Sequence, residues 1–247
     1  MEKQITLIVT GRYGQSTPEI NEMVDSILGG VNCQDRFNVY FNWYNTVHEI
    51  GHMVEVVLRG TIDNLLDGEL FANAFAVAFW ARYGERQTFE TLKELVSTAL
   101  ERFERPISID EDLTDFARRY DAGEIEFSFN NYGWFQFSLV NHVLSEMRSL
   151  ESVLVSAGFA FDETPAPATL AFPSIGEDVI PEILVAVFTK LREWGIELPF
   201  PIYHMLIDDP NAHMVLTGTL EEISDMGLAM EGANPIWVPE RQYSNSV

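Results

Sequence analysis

The segment VHEIGHMVEVV, residues 47–57, combines two histidines and a glutamate at a spacing that suits metal chemistry. On a helix, His48 and His52 are one turn apart on the same face, so both imidazoles can reach one metal ion. Glu49 projects about 100° around the helix from His48 and can lie beside the metal rather than on it. Zn²⁺ held in this way would polarise a water molecule, and Glu49 would accept its proton. The segment therefore predicts zinc-dependent hydrolysis with Glu49 as general base.

A third metal ligand is predicted in the apolar segment that follows, residues 65–83, which has the composition of a buried helix. Within ELFANAFAVAFW, the strongly polar side chains are Glu69 and Asn73, four residues apart and therefore on one face. A buried carboxylate is costly unless it is paired or bound to a cation. We therefore predict that Glu69 binds the metal and that Asn73 accepts a hydrogen bond from a ligating histidine. A cap or an ion pair near the helix start is the alternative for Glu69.

A group that stabilises the transition state is predicted in the helix NNYGWFQFSLVNHVLSEM, residues 130–147. His142 belongs to a polar strip on an otherwise aromatic helix, so it could face the cleft and stabilise a developing oxyanion. Tyr132, at the start of the helix, is the alternative, and a strip that simply faces solvent is the third interpretation. Two further histidines, His204 and His213, lack helical spacing and are expected to be surface groups.

The two helical motifs together resemble the ImmA/IrrE family of zinc metallopeptidases. In that family a helix with the motif H-E-x-x-H is followed by a helix with a motif close to E-x-x-A-N-x-F-A. The matching segments here are HEIGH at residues 48–52 and ELFANAFA at residues 69–76. The resemblance covers roughly residues 40–85 well, and the second motif is much more specific than the first.

The resemblance implies a gluzincin-like metallopeptidase with His48, His52 and Glu69 as zinc ligands and Glu49 as general base. Family members are site-specific endopeptidases that often act on helix-turn-helix repressors. The implied partner is therefore a protein or peptide substrate, with a basic transcriptional repressor as one candidate.

Composition limits the partners that the chain can have. The 247 residues include 38 acidic and 15 basic side chains, a net charge of −23, so direct binding to nucleic acid is not expected. A non-catalytic metal-binding or interaction protein on the same fold, holding a basic partner on its acidic surface, is the alternative function.

Cys33 is the sole cysteine, which favours a reducing, cytoplasmic location, and no uninterrupted apolar run is long enough to cross a membrane.

The predicted fold is α+β and mainly helical, a zincin-like metallopeptidase core with a small N-terminal sheet packed on the active-site helices. A segment rich in proline, residues 161–178, is the predicted boundary between a catalytic domain at 1–160 and a C-terminal extension of unknown role at 161–247. The periodicity of apolar residues predicts strands at 5–10, 37–43 and 202–207, and helices at 18–28, 46–59, 65–83, 88–103, 111–120, 132–154 and 179–194.

Overall fold

Helices dominate the computed structural model of the chain, which describes residues 4–61, 64–208, 213–228 and 230–237. An α+β fold that is mainly helical is thereby confirmed. The α-helices of the described residues are α1 (Pro18–Leu28), α2 (Cys33–Phe37), α3 (Asn45–Arg59), α4 (Leu65–Tyr83), α5 (Arg86–Leu100), α6 (Leu113–Asp121), α7 (Phe129–Glu146), α8 (Leu150–Ser156), α9 (Ile180–Glu193) and α10 (Leu220–Asp225). Short 3₁₀ turns lie at Glu177–Val179 and Met230–Gly232.

The strands of the described residues form one mixed sheet with the order β3-β1-β2-β4. They are β1 (Gln4–Gly11), β2 (Ile202–Ile207), β3 (Met214–Thr219) and β4 (Asn234–Trp237). β1 runs parallel to β2 and antiparallel to β3. The sheet is therefore not built from N-terminal strands as expected, because β1 pairs with strands from after residue 200. The domain boundary at 161 stays a prediction, and the sheet joins strands from both sides of it.

The strand predicted at 37–43 is wrong, because Asn38–Tyr44 is a π-helix that joins α2 directly to α3. Its aromatic residues favour strands intrinsically, but here they pack against neighbouring helices. The ring of Trp43 stacks on Trp80 with centroids 4.1 Å apart, and that of Tyr40 stacks on Phe137 at the same distance. Tertiary packing thus overrides local preference in the segment that leads into α3.

The two faces of the sheet contact different parts of the molecule. Ile8 of β1 and Ile202 of β2 point into the main helical core. Alternate residues, including Leu7 and Met205, point to the opposite face, where Ile223 of α10 completes a smaller apolar cluster. The sheet therefore has one face available to support the helices that carry the predicted site.

The helix predicted at 132–154 is interrupted. Met147 has a left-handed backbone with φ 45°, which ends α7, and the Ser149 side chain accepts a hydrogen bond from the Ser152 amide at the start of α8. A serine at a helix N-cap is a common start signal, and here it begins a second helix rather than continuing the first.

α3 and α4 pack against each other at very short range. A Cβ atom added to Gly51 would lie 2.8 Å from the Cα atom of Ala72, so only glycine fits at this contact. α4 is buried on nearly all sides, from Phe71 to Trp80. Among the described residues, no helix has both the length and the apolar character needed to cross a bilayer.

Candidate metal centre

The close contact of α3 and α4 brings three predicted metal ligands together. The Nε2 atoms of His48 and His52 are 3.2 Å apart. The Oε2 atom of Glu69 lies 3.2 Å from His48 Nε2 and 3.6 Å from His52 Nε2. His48 and Glu69 are buried and His52 is partly buried. This cluster could hold a metal ion.

The Oε2 atom of Glu69 is buried and lies close to both imidazole Nε2 atoms, but with neither does it form a hydrogen bond of good geometry. Burial opposes ionisation of this carboxyl, but the hydrogen-bonding capacity and charge of His48 and His52 outweigh it, so the pKa of Glu69 lies well below its usual range. Burial likewise opposes protonation of His52, yet Glu69 raises its pKa overall. A carboxylate held ionised in a buried site, with one oxygen aimed at two imidazole nitrogens, has the electrostatics that a cation requires.

Glu49 lies beside the cluster, as its position on α3 predicts. Its side chain is buried, and Oε1 accepts a hydrogen bond of 3.1 Å from Nδ2 of Asn45, one turn earlier. Burial raises the pKa of Glu49, while the neighbouring His48 and His52 oppose that rise. A carboxylate with increased proton affinity is better suited to accept a proton than a solvated one.

Tyr132, not His142, reaches the cluster from α7. The Tyr132 hydroxyl donates a hydrogen bond of 3.0 Å to Glu69 Oε1 and accepts one of 2.9 Å from Gln136 Nε2. Burial, followed by the negative charge of Glu69, raises the pKa of Tyr132 far above its usual range. The hydroxyl therefore stays protonated and remains a hydrogen-bond donor next to the metal ligands.

His142 is not part of this site, contrary to its interpretation as a group that faces the cleft. Its side chain is 48% exposed and lies 3.4 Å from Glu146 on the same helix. It lines a separate surface cavity together with Arg59. The polar strip of α7 therefore faces solvent, and the structure places Tyr132 rather than His142 among the candidate catalytic groups.

The hydrogen bond predicted between Asn73 and a ligating histidine is not formed. Asn73 Oδ1 instead accepts a hydrogen bond of 2.7 Å from the Tyr44 hydroxyl, and Nδ2 donates to the backbone oxygen of Glu69 at 2.8 Å. The Nδ1 atoms of His48 and His52 are buried without a hydrogen-bond partner in the protein. The hydrogen bonds of Asn73 therefore go to Tyr44 and to the backbone of Glu69, and not to either histidine.

A cavity of about 480 Å³ opens over the metal ligands and Glu49. Tyr132 and Gln136 of α7 line one part of it, and His213 and Val215, at the start of β3, line another. The His213 ring stacks on Phe41 with centroids 4.9 Å apart. The prediction that His213 is a surface group is therefore wrong, and the same holds for His204, which is buried in the sheet.

Asn45, Gln136 and His213 are the residues of this site that sequence reasoning missed. Asn45 precedes Glu49 by four residues and Gln136 follows Tyr132 by four, so helical spacing contains the signal for both contacts. His213 directly precedes β3 and approaches the site because β3 pairs with β1. No local pattern indicates that approach.

Comparisons of the chain with protein-family models, with curated proteins and with solved structures give no match. The resemblance to the ImmA/IrrE family therefore rests on the residues of the two helical motifs and stays a prediction.

Proposed function

We propose that the chain is a zinc-dependent endopeptidase with a zincin-like active site. The observation that carries the proposal is the convergence of His48, His52 and Glu69 on one point, with Glu49 buried beside them. A binding protein would need the three ligands but has no use for a second carboxyl group that is buried next to them.

The separations of the ligand atoms suit zinc. In a tetrahedral site with bonds of about 2.0–2.1 Å, two ligand atoms lie about 3.3–3.4 Å apart. The three separations here are 3.2, 3.2 and 3.6 Å. Two imidazoles and one carboxylate are also the ligands of many catalytic zinc sites, which keep a fourth position open for water or substrate. The poor hydrogen-bond geometry of Glu69 Oε2 towards both imidazoles is explained if all three atoms bind the metal.

The roles of the protein groups follow from their positions. Zn²⁺ bound here would lower the pKa of a water molecule and polarise the carbonyl group of the substrate. Glu49 accepts the proton of that water and later delivers it to the leaving amine, and Asn45 orients its carboxylate. The Tyr132 hydroxyl donates its single proton to Glu69 Oε1 at 3.0 Å, and we propose that this proton turns to the substrate carbonyl oxygen as negative charge develops there.

The substrate is proposed to be a basic protein, and a DNA-binding repressor of the kind that ImmA/IrrE peptidases cleave is the leading candidate. The net charge of −23 supports this choice because it attracts basic partners over long distances and repels nucleic acid. The same charge supports the second candidate, a non-catalytic protein that only holds a basic partner.

One experiment separates these functions. The zinc-loaded protein and its Glu49→Gln variant are incubated with a library of folded proteins and peptides, and new termini are identified by mass spectrometry. The amide of the variant keeps the shape of the side chain but cannot accept the proton, so cleavage should disappear while zinc content and fold remain. The control is Glu94→Gln on the exposed face of α5, which should cleave normally. Equal cleavage by wild type and Glu49→Gln would refute the mechanism.

A further inference from the structure

A second cavity, of about 380 Å³, lies next to the candidate metal centre. We propose that it binds a bulky apolar side chain of the substrate, of the size of leucine or phenylalanine, close to the scissile peptide bond. This inference rests on the proposed peptidase function and adds to it the type of residue that the site selects.

The cavity is continuous with the catalytic groups. Glu49, His52 and Val215 line both this cavity and the one above the metal ligands. On α3, Met53 and Val56 follow Glu49 by four and seven residues, so they extend the helix face that carries the general base. A peptide whose carbonyl group lies beside Glu49 would therefore have this cavity within reach of a neighbouring side chain.

The walls of the cavity are mainly apolar. They come from three elements, namely Met53, Val56 and Val57 of α3, Leu198, Pro199 and Phe200 of the segment before β2, and Val215 of β3. Apart from Glu49 and His52, the polar lining consists of two threonines, Thr6 and Thr217, whose hydroxyl oxygens are 3.2 Å apart. One threonine hydroxyl donates to the other, so part of their hydrogen-bonding capacity is already used within the protein.

Two of the apolar wall residues are more exposed than a helix packed in a core would require. Val56 is 45% exposed and Val57 36% exposed, although both lie on the helix that carries the metal ligands. Removing this surface from water would favour the binding of an apolar group. Clustered apolar exposure beside a catalytic carboxyl is a typical sign of a ligand-binding surface.

The size of the cavity limits what it can hold. A volume of 380 Å³ is near the lower end of the range of about 300–1,000 Å³ found for ligand pockets. It accommodates one large side chain but not a folded segment. The adjacent cavity of 480 Å³, which contains the metal ligands, is the place for the peptide backbone.

The first test measures binding without catalysis. N-acetyl-glycine, N-acetyl-leucine and N-acetyl-phenylalanine hydroxamates are titrated into the zinc-loaded protein by calorimetry, because the hydroxamate group anchors each probe on the metal. We expect the leucine or phenylalanine probe to bind about tenfold more tightly than the glycine probe, or more, as burial of the side chain would give.

Two substitutions at Val56 change the cavity without touching the catalytic groups. Val56→Phe fills it and should abolish the preference for the bulky probes, whereas Val56→Ala enlarges it and should shift the preference from leucine towards phenylalanine. Val155→Phe, at a position 57% exposed on α8, is the matched control and should bind all probes like the wild type. Equal affinity of the wild type for the three probes, or a preference unchanged by Val56→Phe, would overturn the subsite.

The second test is cleavage of a peptide library by the same proteins. Wild type should prefer a large apolar residue at one position beside the cleaved bond, and Val56→Phe should shift that position towards alanine and glycine. Cleavage without such a preference refutes the subsite alone. Selective hydroxamate binding without cleavage beyond that of Glu49→Gln refutes the peptidase function and supports the subsite. Absence of zinc-anchored binding refutes both.

Discussion

The buried histidine of the sheet makes the stability of the protein sensitive to acid in a way that can be measured. His204 lies on β2 with its side chain 3% exposed, and its Nε2 atom is 2.8 Å from the Thr10 hydroxyl of β1. Burial lowers the pKa of His204 from 6.5 to about 4. The perturbation that we propose is His204→Gln, because glutamine can keep the hydrogen bond to Thr10 but does not titrate.

The sign of the effect follows from proton binding. Between pH 6.5 and about pH 4 the unfolded chain protonates His204 while the folded protein keeps it neutral. The unfolded state therefore binds more protons, and the folded state loses stability as the pH falls through this window. A difference of about 2.5 pKa units corresponds to roughly 3 kcal/mol, all of it present above pH 6.5 and lost near pH 4.

The assay is urea unfolding, followed by far-ultraviolet circular dichroism at half-unit steps from pH 7.5 to pH 4. Carboxyl groups titrate in the same range, so the quantity of interest is the difference in unfolding free energy between wild type and His204→Gln at each pH. That difference should change by roughly 3 kcal/mol in favour of the variant from the top to the bottom of the range. Parallel curves would mean that His204 is accessible to protons in the folded protein, and the reasoning from burial would fail.

Three other predictions concern the metal centre. Glu69→Ala should reduce bound zinc, measured by atomic emission, from about one ion per chain to a small fraction, and undiminished zinc would remove Glu69 from the site. Gly51→Ala should lower the unfolding free energy by about 1–3 kcal/mol and weaken zinc binding, because the new Cβ forces α3 away from α4. The control is Gly232→Ala, because a Cβ atom at Gly232 would meet no other atom within 4 Å. Equal stability of the two variants would contradict the close contact of α3 and α4. Tyr132→Phe should lower kcat by roughly 10²–10³ with zinc content retained. An unchanged kcat would exclude the hydroxyl from the transition state, and Tyr203→Phe, on the far face of the sheet, is its control.

The residues of the site on α3 and α4 could be predicted from helical spacing and residue type, whereas their convergence depends on the packing of α3 against α4. Histidines four residues apart share a face in any α-helix, and a lone carboxylate in an apolar helix needs a partner. These two rules identify His48, His52 and Glu69 as candidate ligands without knowledge of the tertiary fold. They also place Glu49 beside the cluster.

The prediction from sequence was wrong where the structure or environment of a residue depends on contacts with residues distant in sequence. α7 has large apolar side chains on most of its surface, so the sequence does not reveal which side faces the core. The polar strip with His142 suggested the wrong side, whereas Tyr132, about 15 Å away along the helix, meets Glu69. The π-helix of residues 38–44 and the burial of His204 were missed for the same reason, since both follow from packing against elements far along the chain.

The central position of β1 in the sheet determines the order in which the molecule can be completed during synthesis. Thr6 of β1 contacts Thr217 of β3 across 211 positions of the sequence. The candidate metal ligands and Glu49 all lie on α3 and α4, which leave the ribosome well before either strand that pairs with β1. A nascent chain therefore carries all three candidate metal ligands while both edges of β1 are still unpaired and open to aggregation. The apolar cavity, which needs Val215 and Thr217, is among the last features to form, so the candidate metal ligands are synthesised before the proposed side-chain subsite is complete.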